Sequence, residues 1–375
     1  MNILVIGNGF DLAHHLPTQY SNFLDFVKTI SNPDGSDYSK FVENIKMSNG
    51  DLYDEIISLI DHNVLIDYFL SIYEDRCKEG KKGWIDFESE ISFIVHKLDE
   101  AKKDIESKYS KSGEAATLDK VLYMHLKPII EEAEERKPKQ GTIIGEHHFT
   151  PRFFDYKANC LLDALNKLIR LLEIYLHEYV EKFDCKYRIN DLNGRGIDRV
   201  LSFNYTDTYK KYYDPEGKAE YCFIHGKAKE SSVEACDLVL GIDEYLPEDR
   251  KNSDNQFVWF KKFYQRIYKG TGSEYLDWIN HFEGFNRTYQ KAKPSEMHLT
   301  IYGHSLDVTD KDVLSRLIMM ENTTTYIFYH NREAMAKQIS NLVKVIGEEN
   351  LIRKTGGKDR TIKFIQSKPA EEVAT

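Results

Sequence analysis

The chain has 375 residues, enough for a sizeable hydrophobic core in one large domain or two smaller ones. Its 51 basic and 61 acidic side chains give a formal net charge of −10, which argues against a broad surface for nucleic acid or for an anionic membrane. With 24 tyrosines and 20 phenylalanines, the composition is that of a globular protein and not of a disordered one.

Cysteine usage and hydropathy bear on the compartment. The five cysteines are widely scattered, and no two of them have the spacing of zinc ligands. They are expected to be free or buried thiols in a reducing cytosol. The sequence enters its first predicted strand at once and has no apolar stretch of the ~18 residues that a membrane span needs. We therefore predict a cytoplasmic protein with no membrane segment and no strong nucleic-acid signal.

The first predicted element is a buried parallel strand over residues 3–6, because a strand covered on both faces is continuously apolar. It ends in Gly7-Asn8-Gly9-Phe10-Asp11. Two glycines let the backbone turn tightly and approach a phosphate, and a helix beginning near Asp11 would direct its unpaired N–H groups at that anion. The third glycine of the dinucleotide fingerprint is replaced by Leu12. The turn is either a nucleotide cradle or a plain strand-to-helix connection.

Helical periodicity dominates the next part of the chain. Residues 20–28 have the apolar spacing of a helix, whereas residues 31–50 are rich in Asn, Ser, Gly and Asp and are predicted to be a loop-bearing connection. From residue 51 to about 190 helical spacing recurs, with a charged and solvated stretch expected at 99–118 and the longest apolar stripe at 161–180. We interpret residues 31–190 as a helical insertion that caps a cleft or forms an oligomer surface.

Short β-rich runs return near residue 198, and the later ones are separated by helical segments. This alternation predicts an α/β fold, with a Rossmann-like, doubly wound, mainly parallel sheet built from residues 1–30 and 191–366. Residues 367–375 are predicted to be a mobile tail. The predicted strands are 198–203, 221–224, 237–240, 298–302 and 325–329, and the predicted helices among them are 257–268, 310–320 and 333–346.

Polar residues follow the predicted strands where each strand ends. In an open parallel sheet, ligands bind outside the carboxyl ends of the strands, where the strand order reverses. We therefore predict a ligand site at this edge of the sheet. Besides the first turn, the residues at strand ends are Asn204-Tyr205-Thr206-Asp207, His225-Gly226, Gly241-Ile242-Asp243-Glu244 and Gly303-His304-Ser305-Leu306-Asp307.

Several of these residues also have a purely structural interpretation. Asn204 could be a turn former, His225 a structural histidine and Asp307 the N-cap of the next helix. In the predicted insertion, Glu88 is either solvated or reaches the cleft. One further helix face is either solvated or contacts phosphate, and it carries Lys262, Gln265 and Arg266.

Taken together, the motifs resemble the AbiH family of bacterial phage abortive-infection proteins. The resemblance covers residues 1 to about 330, and the opening motif is its most specific part. The motifs, in the order of that family, are Gly7-Asn8-Gly9-Phe10-Asp11-Leu12 with Pro17-Thr18 and Tyr20, Trp84 with Phe87-Glu88, Phe203-Asn204-Tyr205-Thr206, Ile224-His225-Gly226, Leu240-Gly241-Ile242-Asp243 and Tyr302-Gly303-His304-Ser305.

The same order is similar to the wider sirtuin-like NAD-binding superfamily. The resemblance implies that the first turn lies against the pyrophosphate and that the Gly303 loop borders the adenosine side. It also implies that Asn204 lies near the nicotinamide ribose and that His225 is the acid/base residue, with Asp207 as a third catalytic residue. The binding residues that it implies are Gly7, Asn8, Gly9, Phe10, Asp11, Gly303, His304 and Ser305.

The sequence departs from the superfamily pattern at three points. Phe203 replaces the usual small hydroxyl residue before Asn204, and Thr206 stands where the Asp belongs, so that Asp207 is one place late. A four-cysteine zinc site, which deacylating sirtuins have, is missing from the sequence. The missing zinc site disfavours protein deacetylation and leaves cleavage or sensing of NAD as the functions that the resemblance implies.

The expected activity is hydrolysis of the nicotinamide–ribose bond of NAD, with NAD as substrate or ligand and no metal or further cofactor required. The alternative is a non-catalytic sensor of NAD or an ADP-ribose-type nucleotide that acts through a partner. A nuclease would need clustered acidic metal ligands and a basic track, and neither is evident. A homo-oligomer and a phage-derived trigger are further expectations.

Overall fold

The computed structural model describes residues 1–78, 80, 85–131, 148–244, 246, 250, 255–289 and 294–373, so that Trp84 of the motifs above lies outside the described residues. The strands, in chain order, are β1 (Asn2–Ile6), β2 (Ala116–Thr117), β3 (His148–Phe149), β4 (Tyr187–Arg188), β5 (Arg199–Ser202), β6 (Glu220–Phe223), β7 (Met297–Tyr302), β8 (Thr323–Tyr329), β9 (Ile362–Gln366) and β10 (Glu371–Glu372).

Helices make up most of the remaining described chain. The α-helices are α1 (Asn8–Ala13), α2 (Tyr20–Ser31), α3 (Asp37–Ser48), α4 (Gly50–Ile60), α5 (Val64–Lys78), α6 (Phe87–Ser112), α7 (Lys120–Ile130), α8 (Pro151–Ile174), α9 (Thr208–Tyr213), α10 (Lys262–Lys269), α11 (Tyr275–Tyr289), α12 (Lys311–Met319), α13 (Arg332–Ile346) and α14 (Glu348–Thr355). A π-helix continues α8 at Tyr175–Val180, and 3₁₀ turns lie at Asn190–Leu192, Val258–Phe260 and Val308–Asp310.

The central sheet has six strands in the order β6-β5-β1-β7-β8-β9, and every neighbouring pair is parallel. The chain first adds β5 and β6 on one side of β1, then returns to place β7, β8 and β9 on the other side. The strand order therefore reverses between β1 and β7, which is where a parallel sheet of this kind opens a crevice at its carboxyl edge.

β1 is continuously apolar because it is buried on both faces. Ile3 and Val5 pack into one core with residues of α11, α12 and α13. Leu4 and Ile6 pack into a second core on the opposite face, together with Phe10 of α1. The period-two alternation of a strand thus divides one apolar run between two cores.

The helices between β1 and β5 form a third core, in which α8 packs against α4, α5 and α6. This core extends to Leu240 and Phe260, so the helical region also packs on the segment that follows β6. The Asp86 side chain caps α6 by accepting hydrogen bonds from the N–H groups of Glu88 and Ser89, which sets Glu88 in the first turn of that helix. The domain boundaries given above remain predictions.

The predicted fold class, α/β with a Rossmann-like and mainly parallel sheet, is confirmed. Residues 237–240, however, do not form a strand: Gln265 bonds with its side chain to both the N–H and the C=O of Leu240, and Val239 donates to the carbonyl of His225. The predicted loop at 31–50 contains α3, whose buried face includes Val42 and Ile45. Residues 99–118 were expected to be solvated, but α6 continues through them as far as Ser112 and buries Ala101 and Ile105.

The end of the chain contributes structure that the sequence analysis did not anticipate. β9 completes the sheet beside β8, and the segment after it continues along the same edge. The Ser367 N–H donates to the carbonyl of Tyr329 at 2.8 Å, and β10 pairs with β4 in antiparallel fashion.

Candidate functional site

Two glycine turns meet at the point where the strand order reverses. The Gly9 N–H donates to the carbonyl of Gly303 at 2.8 Å, and the Gly7 N–H donates to the carbonyl of Tyr302 at 3.2 Å. A Cβ on Gly7 or on Gly9 would lie only 2.8 Å from backbone atoms of the turn after β7. The Phe10 N–H also has a partner, the carbonyl of Gly7. These glycines therefore serve close packing of one turn on the other, and three amides of the predicted anion cradle are already engaged.

A cavity of about 370 Å³ opens beside these turns, between the sheet and the helical region. Its volume is typical of small-molecule sites. The sheet edge contributes Gly7, Asn8, Gly9, Asp11, Phe203, Asn204, Tyr205, Thr206, His225, Gly303, His304, Ser305, Asp307, Thr309 and Asp310; the helices and connections around it add Thr18, Tyr20, Asp86, Glu88, Ser89, Leu172, Leu176, Lys262 and Lys337.

Asn204 is buried directly after β5 and is 5% exposed. Its backbone N–H donates to the hydroxyl of Ser202 at 3.1 Å, so a hydroxyl does precede Asn204, one residue earlier than Phe203. Phe203 itself packs edge-on against His225 and His304. Neither polar atom of the Asn204 side-chain amide lies within hydrogen-bond distance of a partner among the described residues, although the amide is near enough to Asp11 to lower the pKa of that carboxyl. Buried amides are nearly always bonded, so this one is available to a ligand.

His225 follows β6 and is 4% exposed. Its Nε2 lies 3.2 Å from Oδ1 of Asp310, and its Nδ1 has no hydrogen-bond partner within the described ranges. Burial, together with the charge of Lys262, lowers the pKa of His225 to about 4, so the ring is neutral at physiological pH. A neutral imidazole with one uncommitted nitrogen can accept or relay a proton.

Lys262 lies at the start of α10 and is 3% exposed. Its Nζ is 2.9 Å from Oε2 of Glu88 and 3.0 Å from Oδ1 of Asp310. Burial opposes the charge of Lys262, but the two carboxylates outweigh it and raise its pKa. Burial raises the pKa of Glu88, although the positive charge of Lys262 opposes this shift. For Asp310, Lys262 and the neighbouring histidines outweigh burial and hold the pKa well below its usual range.

Asp11 lies on α1 beneath the cavity and is 1% exposed. Its Oδ2 accepts a hydrogen bond of 2.6 Å from the hydroxyl of Thr206, and its Oδ1 has no hydrogen-bond partner in the described part of the chain. Burial raises the pKa of Asp11 to about 6, although the neighbouring side chains of Thr206, Thr208 and Asn204 oppose the shift. Thr206, at the position of the expected Asp, is therefore bonded to a carboxylate that comes from the first turn.

Three predicted site residues have other surroundings. Asp207 does not line the cavity, and it accepts a hydrogen bond of 2.6 Å from Lys227. Phe10 is fully buried in the core, where its ring packs against His14, Tyr209, Tyr213 and Tyr302. Asn8 lines the cavity, but both atoms of its side-chain amide bond to Thr18.

A family model described as bacteriophage abortive infection AbiH matches residues 3–330. The chain belongs to the AbiH family. It is therefore a protein of bacterial phage abortive infection and antiviral defence. No curated protein and no solved structure matches the chain.

Beside the first cavity, the AbiH chain has a second one of about 810 Å³ on the side of β7, β8 and β9. Gly9, Gly303, His304, Ser305 and Lys337 line both cavities. The wall of the second cavity includes residues 366–370, beyond the matched part of the chain. Its other lining residues are Leu12, Ala13, His15, Tyr302, Phe328, Tyr329, His330, Ala334 and Gln338.

Asp310 is the site residue of this AbiH protein that sequence reasoning missed. It was expected to begin a helix, and it does lie at the end of a 3₁₀ turn, which Asp307 caps by accepting from the N–H of Thr309. Its partners His225 and Lys262 are 85 and 48 residues away along the chain, so no local spacing could have indicated the contact. Glu88, which was expected to be solvated or to reach the cleft, does line the cavity. Lys262 is buried beside it and not solvated, and its contact with a phosphate stays a prediction.

The described residues contain no group of three or more His, Cys, Asp or Glu side chains that could hold a metal ion. No single described helix is long and apolar enough to cross a membrane, and one bent pair, α4 with α5, passes by length and composition alone.

Proposed function

We propose that this AbiH protein binds NAD in the two adjoining cavities and hydrolyses its nicotinamide–ribose bond. The observation that carries the proposal is a pair of polar groups that have no hydrogen-bond partner among the described residues, the Asn204 amide and Nδ1 of His225, which are buried beside one cavity at the reversal of strand order. Buried polar groups without partners are costly, and functional sites are where proteins retain them. The resemblance to sirtuin-like proteins points to the same two residues.

The charges around the first cavity suit this chemistry. Asp11, Glu88 and Asp310 line it together with a single buried lysine, Lys262. When the C–N bond breaks, its electron pair leaves with nicotinamide, which becomes neutral, and the positive charge moves to the ribose. Fixed carboxylates near that centre stabilise an oxocarbenium-like ribose, because they act in a poorly solvated site.

His225 and Asn204 then have distinct roles. The Asn204 amide orients the ribose and the attacking water without having to ionise. Water adds to the anomeric carbon, and its proton passes to Nδ1 of His225. A weakly basic histidine suffices here, since the electrophile is already cationic and water attacks it readily.

The second cavity accommodates the other half of the dinucleotide. Tyr302, Phe328 and Tyr329 offer aromatic surface for a base, and Lys337 lines both cavities where a pyrophosphate would join the two halves. Tyr20 of α2, Glu88 of α6 and Leu172 of α8 close the first cavity from the helical side. Such a cover excludes bulk solvent other than the attacking water from the reacting bond, and its release on infection is part of the proposal.

The experiment is to measure NAD loss and nicotinamide release by the purified protein, with Asn204→Ala and His225→Ala beside it. Each variant should lose about 10²–10⁴-fold in turnover. The matched controls are Asn44→Ala and His281→Ala, which remove the same side chains from exposed helix positions. Undiminished turnover in both site variants would overturn the assignment.

A second candidate function is a nucleotide sensor without turnover. Two observations favour it: the Gly9 and Phe10 amides are engaged within the protein, and the cavity is lined by both the sheet edge and the helical region, so that a bound nucleotide would contact both. Calorimetric titration with NAD and with ADP-ribose separates the two functions. Binding without NAD loss, in a protein that still protects cells from phage, would favour the sensor.

A further inference from the structure

Four side chains, three of them charged, form a continuous chain of contacts from the helical region to the buried His225. Glu88 contacts Lys262 at 2.9 Å, Lys262 contacts Asp310 at 3.0 Å, and Asp310 contacts Nε2 of His225 at 3.2 Å. The Lys262 Nζ also donates to the hydroxyl of Thr309 at 3.3 Å. Lys262 and His225 are less than 5% exposed. Pairs this deeply buried interact with little screening by solvent.

The contact with Asp310 determines which nitrogen of His225 carries the proton. Asp310 is ionised, because Lys262 and the neighbouring histidines favour its charged form. A carboxylate only accepts hydrogen bonds, so the Nε2 that faces it must be the protonated nitrogen. Nδ1 of a neutral His225 is then left with its lone pair, and it is the nitrogen without a partner among the described residues.

Charged and titratable groups face His225 from three directions. Asp310 comes from the 3₁₀ turn before α12, Lys262 and Arg266 come from α10, and His304 comes from the loop after β7 with its Nε2 3.6 Å from Oδ2 of Asp310. His304 is neutral as well, since burial lowers its pKa and its Nδ1 accepts from the N–H of Leu306. The remaining neighbours are the rings of Phe203 and Tyr205.

We infer that Asp310, Lys262 and Glu88 are positioning residues, which fix His225 as the neutral tautomer with an unprotonated Nδ1 directed by its bond to Asp310. The inference rests on the proposed function for its link to catalysis. Asp310 holds the ring through the hydrogen bond to Nε2. Lys262 offsets the negative charge of the Asp310 carboxylate, which would otherwise favour protonation of His225 at both nitrogens. Glu88 supplies the second counter-charge of Lys262 from α6, so the helical region completes the site.

The first test uses nitrogen NMR of the free protein labelled in its 13 histidines, with the His225 signals assigned by their loss in His225→Gln. The wild type should show a neutral His225 with the proton on Nε2. Asp310→Asn should abolish that tautomer preference and lower the His225 pKa. Lys262→Met should raise the His225 pKa by about 1–2, because a cation beside the ring is removed. Asp277→Asn, at an exposed site on α11, should change neither.

Lys262→Met leaves two buried carboxylates without their cation and can fail to fold. The double variant Lys262→Met/Glu88→Gln keeps the formal charge of the cluster and should still raise the His225 pKa. A His225 signal unchanged in the double variant and in Asp310→Asn overturns the inference.

Kinetics separate this inference from the proposed function. If the wild type consumes NAD, Asp310→Asn should lower kcat by about 10²–10⁴-fold with KM little changed, and Lys262→Met/Glu88→Gln should move the acidic limb of kcat/KM to higher pH. Normal kcat in Asp310→Asn would overturn the positioning role of Asp310 and would leave the proposed NAD hydrolysis standing. If the wild type leaves NAD intact, the proposed function fails. The tautomer of His225 measured by NMR then still decides whether Asp310, Lys262 and Glu88 position its ring.

Discussion

Gly9 and Gly303 lie backbone against backbone at the centre of the sheet edge, joined by a hydrogen bond of 2.8 Å from the Gly9 N–H to the Gly303 carbonyl. Gly303 has φ +68, and a Cβ there would lie 2.1 Å from the Phe10 nitrogen. The backbones of the turns after β1 and β7 are therefore in direct contact, with no room for a side chain between them. This approach fixes the wall that the two cavities share.

Gly303→Ala should destabilise the protein by about 3–5 kcal/mol, since it combines the left-handed backbone penalty with a backbone clash. The control is Gly217→Ala, at φ +64 with no atom within 4 Å of the added Cβ. It should cost only the backbone penalty, about 1–2 kcal/mol. Urea denaturation followed by circular dichroism gives both values, and equal losses in the two variants would contradict the packing argument.

Asp11 gives a second prediction, on the pH dependence of stability. Burial raises its pKa to about 6 from 3.8, so in this interval the folded carboxyl keeps its proton while the unfolded one has lost it. The folded state binds more protons there, and the free energy of unfolding must fall as pH rises through the interval, by about 3 kcal/mol for this group. Asp11→Asn should therefore match the wild type near pH 4 and be more stable at pH 7.5.

Urea midpoints measured at both pH values test this difference, and the comparison between proteins cancels other groups such as Glu88 that titrate in the same direction. Asp75→Asn, at a carboxylate 69% exposed, is the control and should show no such divergence. If Asp11→Asn is less stable than the wild type at pH 7.5, the carboxylate of Asp11 is stabilised by a contact that outweighs its burial.

The mainly parallel sheet and its polar carboxyl edge could be predicted from the sequence because their signals are local. The run at residues 3–6 and the polar residues after it lie within one short segment, and the same holds for Asn204 and His225. β9 escaped prediction because Ile362–Gln366 alternates weakly and is only partly buried. Residues 237–240 are as apolar as a strand, but the side chain of Gln265 takes the place of a neighbouring strand.

The charges of the site could not be predicted, since they depend on contacts between distant segments. Nothing near Asp310 in the sequence indicates that it lies beside His225 and Lys262. For the glycine turn, the sequence left open a nucleotide cradle or a plain strand-to-helix connection. In the structure Gly7 and Gly9 pack against the loop after β7, a role that the same residue types serve equally well.

Arg170 gives a third prediction, within the helical region. Its guanidinium contacts Glu55 at 2.8 Å and Glu173 at 2.7 Å, and the Glu173 side chain is fully buried. Arg170→Met should cost about 3–5 kcal/mol, because it leaves a buried carboxylate without a counter-charge. The double variant Arg170→Met/Glu173→Leu should recover most of that loss.

The control for Arg170 is the exposed pair of Lys40 and Asp37, whose side chains are 66% and 84% exposed. Lys40→Met should cost less than about 1 kcal/mol. Thermal and urea denaturation of the four proteins give the comparison. A double variant as unstable as Arg170→Met alone would show that the guanidinium stabilises the helices by packing and not by charge.

Lys337 gives the last prediction, on ligand binding. It lies on α13 and lines both cavities, where the phosphates of a dinucleotide would cross from one to the other. Lys337→Ala should weaken binding of ADP-ribose by about tenfold at low salt, and raising the salt should reduce the difference between variant and wild type, because the interaction is between charges near the surface. Calorimetry gives both values. Lys344→Ala, two turns further along α13 and exposed, is the control and should bind as the wild type does. Equal affinities for Lys337→Ala and the control would mean that the phosphates do not pass this side chain.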